Sequence, residues 1–116
     1  MICDDDEGIS DMLEIILEEA GFSTFTEQNS LNIFDSIAIY KPDVLLLDLW
    51  MPVLSGDQVL LRLRKDDKTQ ALPVIVISAS PDGRSVALNA GASRFLAKPF
   101  DLDHLIELID LLALTK

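Results

Sequence analysis

At 116 residues, 49% of them hydrophobic and 25% charged, the chain is long enough to bury one core, too short for two, and too apolar for a disordered acidic tail. A formal net charge of -11, from 20 acidic against 9 basic residues, excludes nucleic acid and an anionic membrane as partners and suits a cation or a basic protein. The lone cysteine, Cys3, excludes an intrachain disulfide, and no stretch is apolar enough to span a bilayer, so a cytoplasmic location is expected.

Strand and helix patterns alternate along the chain. Met1, Ile2 and Cys3 make a short apolar start that runs directly into Asp4, Asp5, Asp6 and Glu7. Ile9, Leu13, Ile16, Leu17 and Ala20 then recur at helical spacing, and Gly21 is placed to stop that helix. The aromatic and β-branched segment Phe22 to Thr26 predicts a strand. Ser30 is a candidate N-cap for a helix with Leu31, Ile33, Phe34, Ile37 and Ala38 on its apolar face, ending before Pro42.

Val44 to Leu47 is continuously apolar and ends in Asp48, the pattern of a central strand covered on both faces. Pro52, Ser55 and Gly56 mark a loop, and Val59, Leu60 and Leu63 predict an amphipathic helix to about Lys65. Val74 to Ile77 repeats the buried-strand pattern and ends at Ser78. After the Pro81-Asp82-Gly83 loop, a short helix covers Ser85 to Ala90 and stops at Gly91. A last strand, Arg94 to Ala97, leads to Lys98-Pro99, and Asp101 caps a closing helix with Leu102, Leu105, Leu108, Ile109 and Leu112 on its apolar side.

Residues 1–116 thus read as one α/β domain, a parallel sheet with helices on both faces, without repeat or linker. In such folds function gathers at the C-terminal strand ends, which here carry Asp4 and Asp5, Asp48, Ser78 and Lys98. Crowded carboxylates require a neutralising partner, and hard oxygen donors suit Mg2+. A hydroxyl and an ammonium facing them make sense if a phosphoryl group sits beside the metal, with an aspartate as nucleophile. Asp48 is the candidate, because it ends the central strand and opens a loop.

The run Cys3-Asp4-Asp5-Asp6-Glu7, the block Leu45 to Pro52 with Gly56, Ile77-Ser78-Ala79, and Ala90-Gly91-Ala92 leading to Phe95-Leu96-Ala97-Lys98-Pro99-Phe100 together resemble the receiver domain of two-component response regulators. The resemblance covers essentially the whole chain. It implies a flavodoxin-like doubly wound sheet of strand order 2-1-3-4-5 with five helices on two faces. It also implies that Asp48 accepts a phosphoryl group from a histidine kinase or a histidine phosphotransfer protein, as part of a phosphorelay, in a signalling module that is not a turnover enzyme. By the same resemblance Asp5, Asp48 and the backbone carbonyl of Trp50 ligate Mg2+, Asp4 acts through water, and Ser78 and Lys98 contact the phosphoryl group.

The same likeness implies a cis Lys98-Pro99 bond and a switch in which Ser78 moves toward the phosphoryl group while the Phe95 ring turns inward. That movement biases the surface made by the fourth helix, fifth strand and fifth helix. The apolar last helix, with Ile106 and Leu111 outside its main stripe, fits docking or a homodimer through that surface. The resemblance also implies that the acidic pair is followed, after three further residues, by the first buried residue of the first helix, and Ile9 stands there only if the pair is Asp4 and Asp5, which leaves Asp6 to the loop. Trp50 is expected as a partly exposed loop aromatic that shields the acyl phosphate, His104 as a surface residue, and Cys3 as core.

Two other readings compete. A phosphatase of the haloacid dehalogenase type also forms an aspartyl phosphate, but it needs an acid two residues after the nucleophile, where Trp50 stands. A docking module that is never phosphorylated would have no need for such like-charge repulsion.

Overall fold

The computed structural model describes residues 1–51, 53–79, 82–98 and 100–114. Its elements run β1 (Ile2–Cys3), α1 (Glu7–Glu19), β2 (Thr26–Glu27), a 3-10 turn (Ser30–Asn32), α2 (Ile33–Tyr40), β3 (Leu45–Asp48), α3 (Gly56–Lys65), β4 (Val74–Ser78), α4 (Gly83–Ala90), β5 (Arg94–Ala97) and α5 (Leu102–Leu114). The strands form one parallel sheet in the order β2-β1-β3-β4-β5. This is the flavodoxin-like order expected from the sequence. The isomer expected at Lys98-Pro99 lies outside the described residues.

Strand periodicity divides the core even where every residue is buried. Cys3, Leu45, Leu47, Val74, Val76 and Phe95 share one cluster with Ile33 and Ile37 of α2, Val59, Leu60 and Leu63 of α3, and Ala87 and Ala90 of α4. Their neighbours Ile2, Leu46, Ile75, Ile77 and Leu96 share the other with Leu13 and Leu17 of α1 and Leu105, Ile109 and Leu112 of α5. Successive side chains of a strand point to opposite faces, so each apolar run supplies both clusters at once. Continuous runs rather than alternating ones are what such a doubly covered sheet needs.

Gly21, at φ 100°, ends α1 in a Schellman arrangement. Its amide donates to the Glu18 carbonyl and the Phe22 amide to that of Leu17, both at 3.0 Å. Phe22 is therefore committed to the helix end, and the strand predicted over Phe22 to Thr26 is ladder-paired only at Thr26–Glu27. Phe25 contributes its carbonyl to the Ile2 amide at 2.7 Å, while its ring stacks on Tyr40 with centroids 4.0 Å apart.

A second difference concerns the start of α2. The cap is the Asn29 side chain, which accepts from the Leu31 amide at 3.0 Å and opens the 3-10 turn. Ser30 instead turns inward, buried, and its hydroxyl accepts from the Leu54 amide at 3.2 Å, tying this turn to the loop after β3. Gly91, at φ 108°, stops α4 as expected, and Asp101 accepts from the Asp103 amide at 2.9 Å to cap α5.

Arg64, near the end of α3, binds the far side of this core together. Its Nε donates to the Gly91 carbonyl at 2.9 Å, and Nη1 to the carbonyls of Leu72 at 2.7 Å, Gln70 at 3.2 Å and Thr69 at 3.3 Å. A Cβ at position 91 would stand 2.8 Å from the Arg64 Cγ, so the helix stop and the staple both require glycine there. Removing the guanidinium leaves several part-buried carbonyls without their donor. Arg64→Met, which keeps the stem, is expected to destabilise the chain by about 2–3 kcal/mol in urea unfolding.

Candidate functional site

Parallel register brings the polar strand ends to one edge of the sheet. Cys3 lies level with Leu47, Asp48 with Ile77, and Ser78 with Ala97, so the residues that follow β1 and end β3 and β4 converge. Carboxylate oxygens of Asp4, Asp5 and Asp48 all lie within 4.8 Å of one another. Asp4 and Asp48 are buried and Asp5 is exposed, which leaves the cluster open on one side.

Lys98, directly after β5, reaches back across the sheet edge. Its Nζ lies 3.3 Å from Asp4 Oδ2 and 3.7 Å from Asp48 Oδ1. The other Asp4 oxygen accepts from the Asp6 amide at 2.9 Å, and the Ser10 hydroxyl donates to the Asp4 carbonyl at 3.2 Å. Asp4 is thus fixed by protein on both carboxylate oxygens, whereas Asp5 closes the cluster from its exposed side. Ser78 is fully buried, and its carbonyl accepts from the Lys98 amide at 2.8 Å, which locks the two strand ends together.

One lysine cannot offset three carboxylates. Burial first, then repulsion from Asp4, pushes the Asp48 carboxyl up to about 6 against the lowering pull of Lys98. Such residual negative charge on a set of hard oxygen donors is what a divalent cation would neutralise, so the residues fit a magnesium-sized ion. Below the cluster, the Cys3 thiol stands 3.6 Å from Met51 Sδ, and burial together with the nearby carboxylates pushes it up to about 12. It is a core group, not a nucleophile.

Gly56 sets how closely the next helix approaches. A Cβ there would stand 2.5 Å from the Asp48 carbonyl oxygen, and the Gly56 amide donates to the Leu49 carbonyl at 2.7 Å. The loop between them carries Trp50, 52% exposed beside the site as expected. It also carries Val53, at φ 71°, a left-handed conformation that β-branched residues rarely adopt.

The family model for the response regulator receiver domain matches residues 1–110. The chain belongs to that family. This receiver domain is 32% identical, over 91% of its length, to the phosphate regulon regulatory protein PhoB of Pseudomonas aeruginosa, and spans 47% of that protein. The chain spans about half the length of the first curated relatives it matches. Among solved structures, the receiver domain of the Francisella response regulator 1452 superposes with a TM-score of 0.89 at 32% identity, covering 99% of this chain and 96% of that one. The receiver domain of a signal transduction histidine kinase from Syntrophus aciditrophicus gives 0.90 at 25% identity, covering 98% and 88%.

Of the residues singled out from the sequence, Asp4, Asp5, Asp48 and Lys98 meet at this receiver edge, and Ser78 ends the neighbouring strand, tied to Lys98 through its backbone carbonyl. Asp6 has a role that sequence reasoning missed: its Oδ1 accepts from the amides of Gly8 at 2.9 Å and Ile9 at 3.3 Å, capping α1. The local signal was present, since aspartate is a favoured N-cap, but two preceding aspartates offered the same chemistry and masked it. Ile9 is only half-buried, and Ser10 is the first fully buried residue of that helix. Phe95 is buried, with the Arg84 guanidinium 5.4 Å from its ring centroid, and His104 is exposed. No described helix is long and apolar enough to cross a membrane.

The folded receiver holds a proton on Asp48 more tightly than the unfolded chain does. The stability this group contributes is full below its ordinary 3.8 and is lost as pH rises through about 6. Asp48→Asn cannot ionise, so in chelator it is expected to raise the melting temperature most at pH about 7.5, the gain shrinking as pH falls to about 5. A gain independent of pH would contradict the charge-crowding account.

Proposed function

We propose that this receiver accepts a phosphoryl group on Asp48 from the phosphohistidine of a histidine kinase or histidine phosphotransfer protein. The observation that carries the reading is the Lys98 ammonium set between Asp4 and Asp48 at the rim of a three-carboxylate cluster. An Asp48 carboxylate oxygen attacks phosphorus, the bond from phosphorus to the imidazole nitrogen breaks, and that nitrogen keeps the electron pair. An acyl phosphate forms, which water can later hydrolyse.

Mg2+ is the cation proposed, held by Asp5, Asp48 and the Trp50 carbonyl with Asp4 acting through water, and when bound it offsets the charge of the phosphoryl oxygens. The two protein contacts already made by the Asp4 carboxylate support its indirect role. Lys98 keeps its contact with Asp4 and turns from Asp48 to a phosphoryl oxygen. Ser78 donates its hydroxyl proton to another. The resulting shift biases the α4, β5 and α5 surface, where Leu88 and Leu111 are exposed and suit a second copy or an effector.

Intact mass after incubation with acetyl phosphate and Mg2+ tests the assignment. The parent is expected to gain one phosphoryl group, while Asp48→Asn and chelator-treated protein gain none. An unchanged parent would sink the reading. With Trp50 half-exposed beside the acyl phosphate, Trp50→Asn is expected to shorten the phosphoryl lifetime severalfold, and equal lifetimes would remove the shielding role.

A further inference from the structure

The first turn of α4 touches both switch residues. Gly83 lies so close to β4 that a Cβ there would stand 3.1 Å from the Ser78 Oγ and 2.7 Å from a Leu49 methyl. Only a hydrogen separates the helix backbone from the hydroxyl that is to move. The next residue, Arg84, places its guanidinium 5.4 Å from the centroid of the Phe95 ring. Phe95 lies on β5 at the edge of the sheet, where one side of the strand has no neighbour. The ring is nonetheless buried, in the same core cluster as Ala87 and Ala90 of α4.

We propose that Arg84 is a positioning residue for phosphorylation, holding the Phe95 ring in its buried place by a cation–π contact while Gly83 gives the Ser78 hydroxyl clearance beside it. This rests on the phosphoacceptor reading above. When Ser78 turns toward the phosphoryl group, the space it leaves must be filled for the movement to be cheap. Phe95 lies level with Val76, two positions before Ser78, so a ring held inside against α4 has only a short way to move to supply that filling. A ring released to solvent leaves a void, and the hydroxyl's movement costs more. The contact is at the protein surface, where such pairs change an equilibrium by a few-fold rather than a thousandfold.

The test measures the rate of phosphorylation of the full chain by acetyl phosphate and Mg2+, read by intact mass, with melting temperatures to show that each variant is folded. Arg84→Ala is expected to slow the reaction about twofold to fivefold. Arg84→Lys, which keeps the cation, restores most of the rate, whereas Arg84→Met, which keeps only the stem, does not. In a Phe95→Leu background Arg84→Ala is expected to change nothing. Gly83→Ala, which crowds Ser78, is expected to slow the reaction as well.

An Arg84→Ala rate equal to that of the parent would overturn the proposal. So would an equal slowing in the Phe95→Leu background, which would mean that Arg84 only attracts the anionic donor. If the parent itself takes up no phosphoryl group, the reading of the previous subsection fails instead. The Arg84–Phe95 contact is then still measured in the unmodified protein, by whether the two substitutions are non-additive in thermal stability.

Discussion

Three carboxylates converge at the end of an aliphatic sheet, and their mutual repulsion is the constraint around which the rest of the molecule is arranged. Lys98 offsets part of it from the edge of the sheet, and the Asp6 amide offsets a further part from the start of α1. Neither suffices, as the raised proton affinity of Asp48 shows. The remaining imbalance is what the proposed cation and phosphoryl chemistry would draw on, because a fold that satisfied its own charges here would have no need of either.

The sheet separates two packed layers that meet this site differently. One layer, with α1 and α5, holds Asp4 through the Ser10 hydroxyl and packs Leu13 into the core beneath. The other, with α2, α3 and α4, holds the Asp48 loop through Gly56 and Ser30 and the Phe95 ring through α4. Close packing makes a layer respond in discrete steps rather than by gradual deformation. In the proposed switch a change at Ser78 would reach α4 directly, since Gly83 rests on it without an intervening side chain.

Much of this was legible in the sequence, because strongly apolar runs that end in a charged or hydroxyl residue leave little freedom. Leu45 to Asp48 and Val74 to Ser78 identified the central strands, Arg94 to Lys98 an edge strand, and all three the residues they present. What escaped depended on contacts made across the fold. The segment from Phe22 has strand-forming side chains, but its first amide is taken by the end of α1. Ser30 has the composition of a cap, yet a partner 24 residues on competes for its oxygen, and Asn29 takes the cap. The Arg64 staple and the Arg84–Phe95 contact have no local pattern at all, since a surface arginine looks the same whether it meets solvent, carbonyls or a ring.

Lys98 and Asp4 stand 94 positions apart and yet form one ion pair. During synthesis the acidic pair is made well before Lys98, the one cation paired with the cluster among the described residues. Until β5 docks on β4, the chain carries the carboxylates without the lysine, and contacts of such long sequence separation are costly to form early in folding. The carboxylate cluster and the cation that faces it therefore become one site only when the last strand has docked, so the charge balance at the sheet edge reports on completion of the fold.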